Sequence, residues 1–236
     1  MDRLTRHELK TDKFVQEVGQ TVHFLEEHRQ AIIRYGSIAL AILVLAAAGY
    51  AYSRAKKAER QTALGALLEI YNAPVIDPPP AEFKAFRTEQ EKNEAIVKAC
   101  NDLVQKYAGS NEAAIATYLL GTNAADQGDL AAAERYLRDA AEKASHEYAT
   151  LAQFALAQLY IAQGKTADGE KLLRALMEKP SVLVTKDQAA LALAQLLAKS
   201  RPDEARKLVT PLQNKPGAVG RTAITLLAEL NRKPGS

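Results

Sequence analysis

A short segment near the N-terminus comes closer than any other to a metal-binding motif. It reads HFLEEH and places His23 and His28 five positions apart, around Glu26 and Glu27. The inverted zinc-peptidase motif has its histidines four positions apart, so that both face one metal from successive turns of a helix. The extra residue turns the second imidazole about 100° further round the helix. We therefore predict no metal site and interpret the segment as a polar helix face. Metal bound at one equivalent per chain would favour a metalloprotein instead.

No other pattern predicts catalysis or a bound cofactor. The sequence contains no G-x-S-x-G, G-x-x-x-x-G-K-[ST] or C-x-x-C motif. Its one cysteine, Cys100, shares the apolar face of a helix predicted over 88–107, which indicates a core residue. His146 falls at a predicted repeat junction and is interpreted as a solvated turn residue. The charged residues of the C-terminal half are expected to lie on solvated faces without forming an acid–base pair. We therefore predict that the protein is not an enzyme.

The composition favours an all-α protein that does not bind nucleic acid. Among 236 residues, 47% are hydrophobic and 25% are charged, with only 12 glycines and 9 prolines. So few helix breakers among many alanines and leucines favour helices throughout. The net charge of +3 lacks the strongly basic character of nucleic-acid-binding domains.

An uncharged stretch over 35–53, YGSIALAILVLAAAGYAYS, predicts a transmembrane helix. Such a helix is about 28 Å long, close to the roughly 30 Å hydrocarbon core of a bilayer. Tyr35, Tyr50 and Tyr52 stand at its ends, where tyrosines anchor spans at the membrane surface. The stretch is longer than the apolar core of a cleaved signal peptide and follows a longer leading segment. A buried core helix of a soluble protein is the remaining alternative.

The charges around this stretch leave its orientation open. Arg29 and Arg34 precede it closely, whereas four basic residues follow it within Arg54–Arg60. The positive-inside rule therefore favours a cytoplasmic position for the C-terminal side.

Four segments are expected along the chain. Residues 1–34 hold an amphipathic helix over 9–33, which lies at the membrane surface or binds a partner. The span over 35–53 contacts the lipid bilayer. Residues 54–80 form a helical extension and a hinge with three consecutive prolines, and 81–236 form a helical repeat domain.

Two blocks of the C-terminal half repeat at an offset of 36 residues. Residues 111–145 and 150–181 align Gly128 with Gly164, and the glycines follow a helix and precede another. A third block covers 187–215. Two antiparallel helices in each block predict an α-solenoid of about three helix pairs.

Local signals predict where several of these helices begin and end. Asp129 and Ser200 are expected to cap second helices, and Thr185 with Gln188 forms a capping-box pattern. The segment Arg221–Asn231 is expected to form the final capping helix.

The blocks resemble tetratricopeptide repeats, although the repeat tryptophan is missing. The matching residues are Leu120, Gly121, Gly128, Asp129, Ala133, Leu137 and Ala140 in the first block, and Leu156, Ala157, Tyr160, Gly164 and Leu173 in the second. The order of parts is also similar to that of the YfgM-type family, the ancillary subunit of the bacterial Sec translocon. The repeat domain of that family is in turn similar to that of a cell-division coordinator.

This resemblance implies an inner-membrane protein with a cytoplasmic N-terminus, one span and a periplasmic repeat domain. Its implied partners are translocon subunits, envelope chaperones or emerging client polypeptides. The basic cluster Arg54–Arg60 departs from the charge pattern expected for that topology. The alternative is a cytoplasm-facing membrane adaptor that recruits soluble partners through its repeats.

The repeat register predicts a protein-binding groove lined by the first helix of each repeat. The predicted lining residues are Tyr118, Thr122, Asp126, Phe154, Gln158, Ile161, Leu191, Gln195 and Lys199. Tetratricopeptide domains that clamp a C-terminal carboxylate have a basic residue where Tyr118, Phe154 and Leu191 stand, so the resemblance implies that no such clamp exists here. An apolar groove suits an exposed hydrophobic segment or a partner helix. The alternative is that the aromatic residues pack between repeats.

Overall fold

The computed structural model describes residues 29–232, and the regular structure in that range is helical. The helices are α1 (Arg29–Asn72), α2 (Glu89–Lys106), α3 (Asn111–Asp126), α4 (Leu130–Lys143), α5 (His146–Ala162), α6 (Thr166–Glu178), α7 (Lys186–Leu197), α8 (Pro202–Val209), the 3₁₀ helix η1 (Thr210–Leu212) and α9 (Ala218–Asn231). The expected all-α class is confirmed for this part of the chain. The chain divides into two compact units, with the boundary between Glu59 and Arg60.

In the unit that ends at Glu59, the described residues belong to the first part of α1. The stretch Ile33–Asn72 is long and apolar enough to cross a membrane by length and composition, and its most apolar 18 residues are 0% buried. Leu45, near the middle of the uncharged stretch over 35–53, is 72% exposed. A core helix would bury such residues, so the core-helix alternative does not fit. The HFLEEH segment and residues 9–28 of the expected amphipathic helix lie outside the described residues.

From Arg60 onward, α1 belongs to the larger unit. Leu67 is 1% exposed and packs in a cluster with Ile96, Cys100 and Leu103 of α2. The sequence predicts only a connecting extension here. The structure differs because Leu67 lies in a hydrophobic cluster with residues of α2 and α3, so the last turns of α1 contribute to the core.

The segment between α1 and α2 is held by its own backbone. The Ile76 amide donates to the Phe86 carbonyl oxygen at 2.8 Å, and the Phe86 amide donates to the Pro74 carbonyl oxygen at 3.0 Å. Phe86 is buried. The helix that follows begins as predicted, with the Thr88 side chain accepting a hydrogen bond from the Glu91 amide.

The next four helices form two hairpins with the predicted turns. Gly128 joins α3 to α4 with φ 79°, and Gly164 joins α5 to α6 with φ 76°. This left-handed backbone conformation favours glycine. The predicted cap at Asp129 is confirmed, since its carboxylate accepts a hydrogen bond from the Ala132 amide at 3.0 Å. These turns produce the 36-residue period seen in the sequence.

The C-terminal helices confirm one predicted cap and correct another. Thr185 and Gln188 form the predicted capping box at the start of α7. The cap predicted at Ser200 is wrong, because Pro202 takes the first position of α8 and places Arg201 at the N-cap. The final helix, α9, begins at Ala218, three residues earlier than predicted.

Small residues allow the helices of the larger unit to pack closely. From α2 to α9, consecutive α-helices contact each other, and α3 also contacts α5, as α7 contacts α9. A Cβ atom placed on Gly121 would lie 2.8 Å from the Cδ2 atom of Leu137. Leu137 itself is 1% exposed, so it has little space to move. This successive packing of helical hairpins is that of an α-solenoid.

Candidate protein-binding groove

The nine residues predicted to line a groove lie on the first helices of three successive hairpins. Tyr118, Thr122 and Asp126 lie on α3, Phe154, Gln158 and Ile161 lie on α5, Leu191 and Gln195 lie on α7, and Lys199 lies in the turn after α7. Spacings of three or four residues keep the members from each helix on one face.

Tyr118 packs between two hydrophobic clusters. It contacts the cluster that contains Leu67 and Leu120, and it also contacts the cluster that contains Leu137 and Leu156. Burial raises the pKa of the Tyr118 phenol, and the nearby Tyr71 raises that pKa further. Tyr118 is therefore partly buried, and its side chain joins one repeat to the next.

The other apolar members of the set also pack between repeats. Phe154 contacts the cluster of Leu176, Val184 and Ala189 and, on another side, the large C-terminal cluster around Leu193. Ile161 and Leu191 pack against that C-terminal cluster as well and are half-buried. Tyr118 and Phe154 thus contact clusters that include residues of a neighbouring repeat, as the alternative weighed for the aromatic residues expects.

The polar members of the set present most of the hydrogen-bonding and charged groups that this face exposes to solvent. Gln158, Gln195 and Lys199 are exposed, as is Asp126 at the end of α3. Thr122 is half-buried, and its hydroxyl donates a hydrogen bond to the Leu119 carbonyl oxygen at 3.0 Å. Two amides, an ammonium and a carboxylate are thus available, and amides both donate and accept hydrogen bonds.

The hairpins, their glycine turns and the close Gly121–Leu137 approach agree with the family comparison. The family model of the tetratricopeptide repeat-like domain matches residues 23–207, most of the chain. The chain belongs to this tetratricopeptide repeat-like family. No curated protein matches its sequence. Tetratricopeptide repeat-like domains are typically non-enzymatic scaffolds for protein–protein interaction.

The tetratricopeptide repeat-like domain carries an ion-pair cluster that joins two of its repeats. Glu134 on α4 accepts hydrogen bonds from Lys165 at 3.0 Å, from Arg138 at 2.6 Å and from the Tyr160 hydroxyl at 3.2 Å. Arg138 also donates to the Tyr160 hydroxyl at 2.8 Å. The hydrogen bond from Lys165 is the largest cause of the lowered pKa of Glu134.

A second cluster repeats this arrangement 36 residues later. Glu170 on α6 pairs with Arg174 at 2.7 Å and with Arg201 in the turn after α7. Glu204 on α8 pairs with both arginines. The hydrogen bond from Arg201 is the largest cause of the lowered pKa of Glu170. Neither cluster was predicted from the sequence, although the 36-residue offset between their charged residues is the signal that could reveal them.

Cys100 and His146, the residues that could in principle do chemistry, lie in surroundings that fit a structural role. Cys100 is 0% exposed, and burial raises the pKa of its thiol to about 12. A thiol in that environment is not a nucleophile. His146 is exposed, but its Nε2 atom lies 3.2 Å from the Pro180 carbonyl oxygen at the next repeat junction. Among residues 29–232, no group of three or more His, Cys, Asp or Glu side chains is placed to hold a metal ion.

A cleft of about 750 Å³ lies away from the predicted groove. It is formed by the first half of α2 and the end of α3, and Glu94, Val97, Asn123 and Gln127 are among its lining residues. None of the nine predicted residues lines it. Sequence reasoning did not find this cleft because α2 carries no repeat signature.

Proposed function

We propose that the protein is a membrane-anchored scaffold that binds other proteins through the first-helix face of its repeats. One observation carries this proposal. The helix that presents the unburied apolar stretch over 35–53 is the same helix whose Leu67 lies in the core of the repeat unit. A single element therefore serves both as the hydrophobic stretch and as part of the repeat domain.

Two features favour a retained anchor over a removed signal sequence. The helix runs without interruption from Arg29 to Asn72, and cleavage after the apolar stretch would divide it. The family match begins at residue 23, before the apolar stretch, so the stretch lies inside the region that the family model covers. Exposed Tyr35, Tyr50 and Tyr52 at its two ends suit the membrane–water interface.

The exposed groove positions suit a bound polypeptide segment. Gln158 and Gln195 occupy corresponding places on α5 and α7, and Lys199 follows one turn after Gln195. Amide side chains both donate and accept hydrogen bonds, so they suit the backbone of a bound partner. The half-buried Phe154 and Leu191 offer apolar edges beside them. A helix or strand with one apolar face could contact the apolar edges and form hydrogen bonds with the amides.

We propose a bacterial inner-membrane location with the repeats in the periplasm near the Sec translocon. The order of parts supports this placement, since a short N-terminal segment, one apolar stretch and a repeat domain resemble the YfgM-type arrangement. Translocon subunits, envelope chaperones or emerging client polypeptides are the proposed partners. Tethering at the membrane would raise the effective concentration of the groove near such chains.

The cytoplasm-facing adaptor remains the second candidate, and one observation favours it. Four basic residues follow the apolar stretch within Arg54–Arg60, against Arg29 and Arg34 before it. In that orientation the repeats would recruit soluble cytoplasmic partners to the membrane.

Site-specific photocrosslinking in cells tests the binding surface. A photoreactive amino acid replaces Gln158, Gln195 or Lys199 on the first-helix face, and matched controls replace the exposed Lys171 and Lys207 on second helices. We expect discrete crosslinked partners at the first-helix positions and few at the controls. Equal crosslinking from both surfaces would refute the groove. The compartment of the crosslinked partners separates the two candidate functions.

A further inference from the structure

A stripe of three exposed side chains crosses the C-terminal end of the apolar stretch on α1. Tyr50, Arg54 and Lys57 are all exposed and follow one another at spacings of four and three residues. Residues with those spacings lie on one face of a helix, with neighbouring side chains about 5–6 Å apart. The stripe therefore places a phenol hydroxyl, a guanidinium and an ammonium in one line.

The cations of this stripe differ from their neighbour Lys56. Lys56 is paired with Glu59, with its Nζ 3.2 Å from the carboxylate. Within the described part of α1, neither Arg54 nor Lys57 has a carboxylate partner. Two positive charges on one face thus remain available for an anion from outside the chain.

The depth of the stripe matches one layer of a bilayer. Along the helix axis, Arg54 lies about 6 Å and Lys57 about 10 Å beyond Tyr50. The polar headgroup region extends about 5–8 Å beyond each side of the hydrocarbon core. With Tyr50 at the edge of the core, the Arg54 backbone lies inside this region and the Lys57 backbone lies just beyond it. The long Lys57 side chain extends back toward the phosphates, because side chains of a helix tilt toward its N-terminus.

We propose that Tyr50, Arg54 and Lys57 bind the phosphate headgroup of an anionic phospholipid. Arg54 and Lys57 neutralise the headgroup, and the Tyr50 hydroxyl donates a hydrogen bond to a phosphate oxygen. This site rests on the proposed membrane anchoring. It also gives the basic residues after the apolar stretch a role that is independent of membrane orientation, because both leaflets can present anionic lipids.

The test measures lipid binding by the full chain. Native mass spectrometry in a mild detergent compares the affinity for phosphatidylglycerol with that for phosphatidylcholine. Lys57→Gln is expected to reduce the preference for phosphatidylglycerol about fivefold, and adding Arg54→Gln reduces it about fivefold again. Lys56→Gln is the matched control, because it removes the same charge from the adjacent residue. It is expected to change the preference less than twofold.

Several results would overturn the site. Equal losses for Lys56→Gln and Lys57→Gln would show a general charge effect. Displacement of the lipid by excess inorganic phosphate would show a free-anion site instead of a headgroup site. Alkaline extraction from phosphatidylcholine vesicles separates this inference from the proposed function. A chain that resists extraction but shows no preference for phosphatidylglycerol refutes the lipid site alone, whereas an extracted chain refutes the anchor as well.

Discussion

Lys165, in the turn after α5, donates a hydrogen bond to Glu134 on α4, with its Nζ 3.0 Å from the carboxylate. Both residues have counterparts 36 positions later, Arg201 and Glu170, which also form an ion pair. Each pair joins the second helix of one repeat to the turn of the next repeat. The stack is therefore held by repeated polar contacts as well as by its apolar core.

These pairs predict an acid-sensitive stability. The pKa of Glu134 and that of Glu170 are lowered in the folded protein, so each carboxylate stabilises the fold above its ordinary pKa of 4.5. The stabilisation is lost as the pH falls from that value through the lowered pKa. Glu134→Gln should reduce the free energy of unfolding by about 0.5–1 kcal/mol at pH 7 and by progressively less as the pH falls below 4.5. Urea titrations at a series of pH values measure this.

Glu142→Gln provides the control for that experiment. Glu142 is exposed on the same helix and does not contact Lys165. A similar pH dependence of the effect in Glu142→Gln and Glu134→Gln would contradict a specific role for the repeated pairs.

Close helix packing predicts opposite effects of alanine at two glycines. In Gly121→Ala the new Cβ would lie 2.8 Å from two side-chain carbons of Leu137, so the free energy of unfolding should fall by about 1–3 kcal/mol. In Gly65→Ala no atom lies within 4 Å of the new Cβ. The better helix propensity of alanine should therefore raise the free energy of unfolding by about 0.5–1 kcal/mol. Thermal or chemical unfolding of the two variants measures these opposite changes in stability. Equal changes would contradict the packing described for α3 and α4.

The native cysteine should report on folding of the repeat unit. Cys100 is fully buried and burial raises its pKa to about 12, so a maleimide should leave it unlabelled at pH 7. Labelling should appear only as denaturant unfolds the unit, at the same denaturant concentration as the loss of helical circular dichroism. Rapid labelling of the folded chain would contradict the packing of α2 against α1 and α3.

A charge within the apolar stretch should weaken membrane anchoring. Leu45→Arg places a cation near the middle of the stretch, at a cost of about 2.5–3.5 kcal/mol for insertion. We expect more of this variant in the soluble fraction after alkaline extraction of membranes. Leu68→Arg, on the same helix beyond the stretch, is the matched control and should remain membrane-bound. Equal extraction of the two variants would contradict anchoring through 35–53.

Much of the fold could be predicted from local sequence signals. Gly128 and Gly164 mark turns through their backbone conformation, and Asp129 and Thr185 mark helix starts through their side-chain hydrogen bonds. Such signals depend on a few adjacent residues, so a single sequence contains them. The cap at Ser200 was misplaced because Pro202 fixes the helix start one residue later.

The remaining features depend on contacts between helices that are distant in sequence. Leu67 belongs to the core only because residues of α2 and α3 form one hydrophobic cluster with the end of α1. The sequence placed Tyr118 and Phe154 on a groove face, but their half-burial depends on the neighbouring repeats. Substituting either aromatic would therefore also disturb packing, and the exposed Gln158 and Gln195 are better tests of binding.

Topology labelling in cells determines on which side of the membrane the repeats lie. Cysteines replace the exposed Gln127 and Ala162 beside the two glycine turns, in a full chain whose own Cys100 is buried. A membrane-impermeant maleimide is added to cells whose outer membrane has been permeabilised, before or after lysis. We expect labelling of both cysteines before lysis, which would place the repeats in the periplasm. Labelling only after lysis would contradict that placement and favour the cytoplasm-facing adaptor.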